Sequence, residues 1–175
     1  VPLTDPSITR LADQMAAAMD IPEIKVNVFE VEAVNGLAAP DGRIFLTRGF
    51  LNRKARGEVS AEELAAVIAH ELGHVALGHA RRRMIDFTGQ NAVFFMLTAL
   101  LSRFLPVIGV WIANLVTGAL AARLSRRDEF EADAYASALL VKAGIGLGPQ
   151  ISLFQKLGRL TGSDGSGVPA WVRSH

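Results

Sequence analysis

The 175-residue sequence contains no cysteine, and this absence excludes several kinds of site. Disulfide frameworks, thiolate zinc sites, iron–sulfur clusters and thiol nucleophiles all require a cysteine sulfur. Any bound metal must therefore be held by histidine and carboxylate side chains. The redox compartment is left open, because a chain without cysteine suits the cytosol and the periplasm equally well.

The sequence also lacks an excess of charge of one sign. Its 18 Lys plus Arg nearly balance its 17 Asp plus Glu, and the formal net charge is +1 at pH 7. A nucleic-acid-binding domain normally carries a concentrated basic face, so we expect no nucleic-acid partner. Half of the residues are apolar, which excludes disordered and collagen-like chains. The length predicts a single domain, residues 1–175, with a sizeable core.

The period of the apolar residues predicts an α+β fold that is mostly helical and contains a small antiparallel sheet. A first amphipathic helix covers about residues 3–19, begins near Asp5 and is ended by Pro22. Alternating apolar residues then predict three strands, at 25–31, 34–38 and 43–46. Turns between them are predicted at Asn35-Gly36 and Asp41-Gly42.

The second of these strands is expected to lie at an edge of the sheet, because it is followed by Pro40. The strand contains Asn35, Gly36, Leu37 and Ala38. An edge strand can accept an extended peptide as an additional strand. A structural hairpin without a binding role is the alternative.

Helices are predicted for the rest of the chain. Ser60-Ala61-Glu62-Glu63 has the form of a capping box and begins a helix that runs to about Arg82. Further helices are predicted at 92–101, 107–122, 125–143 and 149–160, with a break at 103–106. Gly144 ends the third of them, and a loop rich in Gly and Ser follows the last.

The pattern H-E-x-x-H lies inside the helix that begins at Ser60, as His70-Glu71-Leu72-Gly73-His74. Two histidines four residues apart project from one face of a helix and can share one zinc ion. Glu71 stands beside the first ligand, where a zinc peptidase needs its general base. A helix with surface histidines is the alternative, but this helix has a cap and is apolar on both sides of the motif.

A catalytic zinc usually has a third protein ligand. One known pattern requires Gly at position 77 and His at position 80, whereas the chain has Gly78 and His79. His79 would lie about 140 degrees around the helix from His74, so we expect it not to be a ligand. The other pattern takes a Glu from a later helix and an Asp one turn on, and Glu129 and Asp133 have this spacing. A charged face on a surface helix is the alternative.

These motifs resemble those of a group of zinc metallopeptidases that includes HtpX, Oma and the CaaX prenyl proteases, with their soluble or peripheral bacterial members. The resemblance rests on His70 to His74 with Gly78-His79, on Ser125 to Ala134, and on Ser174-His175. It covers about residues 35–175. The chain departs from the pattern of these relatives at Asn35-Gly36-Leu37-Ala38, where they tend to carry Asn-Ala-Phe-Ala. This departure affects the expected shape of the strand edge that would receive substrate.

The resemblance implies a zincin-like fold of the gluzincin type with one zinc ion per chain. The ligands of the zinc ion would be His70, His74 and Glu129, and Asp133 would lie behind the histidines. The general base of the enzyme would be Glu71. The oxyanion of a tetrahedral intermediate needs a further donor, for which the chain offers Tyr135 and His175. We favour His175, which is predicted either to donate to the oxyanion or to close the fourth metal position as a latch. A frayed terminal histidine is the alternative.

Residues 84–122 are predicted to form a pair of apolar helices that contacts a membrane surface. The stretch 104–122 is just long enough to span a bilayer, although Pro106, Asn114 and Thr117 interrupt it. If the two helices formed a spanning hairpin, basic residues would flank it at both ends. Both ends lie on the same side of the membrane, and the excess of basic residues would place them, with the site, on the cytoplasmic side. The two alternatives to peripheral contact with a membrane are a spanning hairpin and a pair of helices wholly buried in the protein.

The sequence thus predicts a zinc endopeptidase that pairs unfolded or extended polypeptide with its sheet edge and cuts it. Bacterial origin and a role in protein quality control are implied by the resemblance alone. The apolar residues 84–122 predict membrane association, on the periplasmic or the cytoplasmic face. The alternative is a catalytically silent, chaperone-like or partner-binding module with a structural zinc. Glu71 argues against that module, because a closed structural site has no use for a base. The sequence does not indicate an oligomeric state.

Overall fold

The computed structural model describes residues 1–102 and 108–160. These residues are mostly helical and include one small sheet, as the sequence predicts. The elements follow the order α1 (Pro6–Ala18), β1 (Val26–Phe29), β2 (Gly36–Ala38), β3 (Ile44–Thr47), α2 (Arg48–Ala55), α3 (Ala61–Ala76), α4 (His79–Ser102), α5 (Ile108–Lys142) and α6 (Gly148–Leu160). The predicted break at 103–106 and the predicted loop after residue 160 lie outside the described residues.

The chain divides into two compact units. Unit 1 comprises Val1–Leu77 and the chain from Glu131 onward, and unit 2 comprises Gly78–Phe130. The core of unit 1 forms where α1, α3, α6 and the sheet pack together. Its largest fully buried apolar side chains are Ile8, Met15, Ile44, Leu46, Leu64, Ile68, Leu140 and Leu157.

The sheet has the strand order β1-β3-β2, so β2 lies at an edge, as predicted. β2 and β3 are antiparallel, with Gly36 opposite Leu46, but β1 and β3 are parallel, with Val26 opposite Ile44. The prediction of an antiparallel sheet is therefore wrong for one of the two strand pairs. Residues 30–43 connect β1 to β3, which is long enough for the crossover that a parallel pair requires.

One of the two predicted turns is confirmed and the other is wrong. The Asp41-Gly42 turn exists, since Gly42 has a φ of 88° and its N–H donates to the carbonyl of Ala39. Gly36 instead lies inside β2, in regular pairing with β3. The sequence offers Asn-Gly as a turn signal, but here the glycine lies in an extended strand.

The sequence does not predict helix α2. Its N-cap is Thr47, whose hydroxyl accepts a hydrogen bond from the N–H of Phe50 at 3.4 Å. The same hydroxyl accepts from the Asn35 N–H and donates to the Asn35 carbonyl, both at 3.0 Å. Thr47 thus fixes the end of β3, the start of α2 and the approach to β2 together.

The capping box of α3 is confirmed. The Glu63 N–H donates to the Ser60 hydroxyl at 3.0 Å, and the Ser60 N–H donates to the Glu63 carboxylate at 3.1 Å. Glu63 is buried, and it also accepts hydrogen bonds from Ser152 and Lys156 of α6. Burial raises the pKa of Glu63, but these donors outweigh it and hold that pKa below its usual value.

Three helix boundaries differ from the prediction. The helix predicted at 92–101 begins at His79 instead. Helix α3 ends at Ala76 rather than near Arg82, because Gly78 adopts a φ of 64° and α4 begins directly after it. Helix α5 is continuous over residues 108–142, where the sequence predicts two helices. Arg123 and Leu124 at the expected junction are good helix formers, and no proline or glycine breaks the helix there. The predicted end at Gly144 and the predicted last helix are confirmed.

Unit 2 carries large apolar side chains on its surface. Phe95, Trp111 and Leu115 are 68%, 76% and 73% exposed. A groove of about 400 Å³ between α4 and α5 is lined by Phe87, Gln90, Asn91, Phe94, Asn114 and Thr117 among others. These exposures exclude a wholly buried helix pair for the described part of 84–122. Among the residues described, none of the helices combines the length and the apolar character needed to cross a bilayer.

Asp5 caps α1 and joins it to α2. Its carboxylate accepts from the Ser7 N–H at 3.0 Å and from the Lys54 ammonium at 2.8 Å. Burial raises the pKa of Asp5, but the hydrogen bonds from Lys54, Ser7 and the Ile8 amide outweigh it and lower the pKa to about 2 from 3.8.

We predict that Asp5→Asn makes stability less dependent on pH. Asparagine is also a good N-cap, so the change removes the charge and keeps the cap. Since the folded-state pKa is depressed, the charge stabilises fully above about pH 4 and loses its effect as the pH falls toward 2. Urea unfolding should show a wild-type advantage of about 1 kcal/mol at pH 7 that vanishes near pH 2. Lys54→Met is the matched control for the partner charge, and a difference that is constant with pH would contradict this account.

Candidate metal centre

His70 and His74 lie one turn apart on α3 and are both buried. Their Nε2 atoms are 3.1 Å apart, and their rings meet edge to face with centroids separated by 4.8 Å. Two nitrogens that bind one zinc tetrahedrally at about 2.0–2.1 Å lie about 3.3 Å apart. The two imidazoles therefore already have the separation that a shared ion requires.

Glu129 on α5 completes a buried group of three possible ligands. One ligand atom each from His70, His74 and Glu129 can be chosen so that all three lie within 4.8 Å of one another. Two imidazole nitrogens and one carboxylate oxygen form the donor set of several catalytic zinc sites. The chemistry and spacing of these residues fit a divalent metal ion.

The approach of α5 to α3 depends on a glycine within the motif. A Cβ at Gly73 would lie 3.0 Å from the Cα and carbonyl oxygen of Ala132 and 3.2 Å from the Cβ of Tyr135. These distances are shorter than nearly all real Cβ contacts, so the backbones of the two helices approach as closely as they do because Gly73 has no side chain. Ala132 is the small residue on the facing helix and is fully buried.

Asp133 lies behind His70. Its Oδ1 is 2.7 Å from Nδ1 of His70, and the carboxylate is the natural acceptor for a proton on that nitrogen. With Nδ1 engaged in this way, Nε2 of His70 keeps its lone pair for a metal. The backbone carbonyl of Asp133 in turn accepts from Ser137 at 3.0 Å and from Gln150 at 3.3 Å.

Glu71 is 2% exposed and lies on α3 beside His70. A cavity of about 20 Å³, enough for one water molecule, lies next to Glu71 and His70. Its other lining residues are Gly36 of β2, Phe50, Val67, Leu153 and Leu157. The edge strand that the sequence predicts to receive substrate therefore reaches the predicted general base.

Several predicted residues have other outcomes. Tyr135 is half-buried against the core, and burial raises its pKa, which favours the protonated phenol. His175 lies outside the described residues, so the structure does not place it. His79 begins α4 rather than continuing α3, so the angle around one helix that argues against its ligation does not apply. Its side chain is outside the described part of the chain.

Sequence reasoning did not identify the residues that support the site through helix packing and through hydrogen bonds to Asp133. The motif treats Gly73 only as a spacer, although a glycine inside an otherwise well-formed helix often marks a close backbone contact. Ser137 lies one turn after Asp133, and its contact with the preceding turn is a common pattern for serine in helices. Nothing in the local sequence could have indicated Gln150, because its contact with α5 depends on the packing of α6.

Comparison with known proteins gives a match over nearly the whole chain. The profile of peptidase family M48 matches residues 2–175. Metalloprotease LoiP of Escherichia coli is 29% identical over 153 residues, which cover 87% of this chain and 59% of LoiP. Metalloprotease YcaL of the same organism is 26% identical over 155 residues, which cover 89% and 59%. The mitochondrial metalloendopeptidase OMA1 of Homo sapiens is 26% identical over 170 residues, which cover 89% and 31%. The chain thus spans about three fifths of the two bacterial relatives and about a third of the human one.

We predict that Gly73→Ala loosens the contact between α3 and α5. The added methyl group meets the backbone of Ala132, and overpacking of this kind typically costs about 1–3 kcal/mol. Denaturant unfolding and competition for zinc with a chelator should show lower stability and weaker metal binding. Gly118→Ala on α5 is the matched control, because a Cβ there meets no atom within 4 Å, and it should gain up to about 1 kcal/mol from helix propensity. Equal stabilities of the two variants would refute the role given to Gly73.

Proposed function

Because this chain belongs to peptidase family M48, we propose that it is a zinc-dependent endopeptidase with one metallopeptidase domain across residues 1–175. The observation that carries the proposal is the buried group of His70, His74 and Glu129, with Glu71 next to it on α3. A single zinc ion per chain is proposed because two imidazoles and one carboxylate suit zinc and leave a position for water.

The proposed ligands are His70, His74 and Glu129, and Asp133 orients His70 through its Nδ1 atom. Zinc bound there would lower the pKa of a water molecule to about 7 and polarise the carbonyl of the scissile peptide bond. Glu71 then accepts a proton from the attacking water and passes it to the nitrogen of the leaving amine as the C–N bond breaks. The burial of Glu71 holds its carboxylate in one place for both transfers.

Substrate is proposed to bind as an extended strand along β2. This strand lies at an edge of the sheet, and its residue Gly36 lies against Glu71. A peptide that pairs with Asn35, Gly36, Leu37 and Ala38 would therefore pass the general base. His175 is proposed as the oxyanion donor or as a latch on the fourth metal position, on the basis of the sequence alone.

Unfolded or membrane-associated proteins are the proposed substrates, in protein quality control at a bacterial membrane. The resemblance of the motifs supports the quality-control role, and the surface of unit 2 supports the membrane. Its α4 and α5 expose Phe95, Trp111 and Leu115, and the groove between them is lined by both polar and aromatic side chains. Arg123 and Arg126 are exposed near this apolar surface along α5 and suit anionic headgroups.

We predict that Glu71→Gln abolishes cleavage without loss of zinc. Loss of a general base lowers turnover by about 10²–10⁴-fold, and glutamine keeps the shape of the side chain. Zinc content and hydrolysis of an unfolded protein such as casein should be measured together in detergent-free buffer. Glu129→Ala should lose the zinc, whereas Glu131→Ala on the same helix is the matched control and should keep it.

Each departure from this result has a distinct meaning. Activity that survives in Glu71→Gln would refute the mechanism. Zinc that remains in Glu129→Ala would leave the third ligand unidentified. Zinc without any cleavage by the wild type would favour a structural zinc in a binding module, or a latent enzyme with His175 as the latch.

We predict that the wild type sediments with vesicles that contain phosphatidylglycerol. Replacing Trp111 and Leu115 together by serine should weaken this binding by about tenfold or more, because each side chain contributes about 1.5–3 kcal/mol when buried. The matched control replaces Val141 and Ile151 of unit 1 by serine, since these are also exposed apolar residues. Wild-type protein that stays in the supernatant, or equal binding by both double variants, would contradict membrane contact through unit 2.

A further inference from the structure

Gly36 is the point at which the edge strand β2 comes closest to the helix that carries the motif. A Cβ at this residue would lie 2.5 Å from Cγ1 of Val67, and 3.5 Å and 3.6 Å from Cγ and Oε1 of Glu71. Ordinary contacts of a Cβ lie at 3.4–4 Å. The overlap with Val67 is therefore about 1 Å, while Glu71 would just be touched.

The backbone itself does not require glycine at this position. Gly36 pairs with Leu46 in regular antiparallel register, and its φ is not positive, unlike that of Gly42 in the following turn. Glycine is needed at position 36 because its lack of a side chain leaves space beside the strand, and not because of its conformational freedom. That space is taken up by Val67, which lies one turn before Glu71 on α3.

Gly36 and Val67 also border the small cavity beside Glu71. Phe50, Leu153 and Leu157 close this cavity from the core side and are all buried. The room that Val67 has on that side is this cavity of about 20 Å³, which is the space of about one water molecule. Any added volume must act on β2 or on the side chains that face it.

We propose that Gly36 and Val67 are a matched pair that sets the distance between the substrate edge of β2 and the Glu71 carboxylate. This proposal rests on the proposed endopeptidase function. Gly36 and Val67 are positioning residues, since they act through the strand and through Glu71. A substitution at position 36 moves the bound peptide relative to the base, and a smaller residue at position 67 compensates for it.

The test compares Gly36→Ala, Val67→Ala and the double variant with the wild type on an unfolded fluorogenic peptide. Gly36→Ala should lower kcat by about 100-fold, because a displacement of about 1 Å suffices for such a loss. KM should change by less than about threefold, since the outer edge of β2 that pairs with the peptide is unaltered. The double variant should have a kcat at least about tenfold higher than that of Gly36→Ala. Zinc content should remain one ion per chain in every variant.

Gly118→Ala is the control for a glycine-to-alanine change that meets no neighbouring atom, and it should keep the wild-type kcat and KM. A kcat of Gly36→Ala close to the wild-type value would overturn the proposal, as would a loss that Val67→Ala does not relieve. A loss of zinc along with activity would show a structural role only and would also overturn it.

Failure of the endopeptidase function can be told apart from failure of this pair. If the wild type binds zinc but cleaves no peptide, the result favours the binding module or the latent enzyme over an active endopeptidase. The pair is then judged from the unfolding free energies of the same four proteins. A double variant that is more stable than the two single changes predict supports the contact between β2 and α3, and additive changes overturn it.

Discussion

The close contact between Gly73 and Ala132 is the constraint on which the candidate metal centre depends. It allows α3 and α5 to approach until Oδ1 of Asp133 lies 2.7 Å from Nδ1 of His70. Residues on one helix keep their mutual geometry by the helical period alone, but the distance between helices is set by the side chains at the crossing. Because packed interiors have little free space, a methyl group added at Gly73 would press on the backbone of Ala132, next to Asp133.

The parts of the site that the sequence predicts well are those that lie within one helix. His70 and His74 share a face of α3, and Glu129 and Asp133 share a face of α5, because each pair is four residues apart. The capping box at Ser60 and the edge position of β2 are also predictable from local signals. That the two helices bring their candidate ligands to one site is predicted only from the resemblance of both motifs to a single family.

What the sequence does not predict depends on contacts between distant segments. The parallel pairing of β1 with β3 is decided by the path of residues 30–43, and the local pattern of apolar residues is the same for either direction. Gly36 gives a turn signal, yet its actual surroundings are Val67 and Glu71, more than thirty residues away in the sequence. The support of Asp133 by Gln150 belongs to the same class of tertiary contact.

Unit 1 is discontinuous in sequence, since Gly78–Phe130 separates its two parts. The contact of Gly73 with Ala132 therefore closes a loop of more than fifty residues, and the entropy of that closure opposes the assembly of the centre. This cost rises only slowly with length, by about 0.6 kcal/mol for each doubling of the loop. The segment between the two helices is thus free to lengthen or shorten over evolution at little thermodynamic cost. Unit 1 can keep its packing while the length of the connection between α3 and α5 varies.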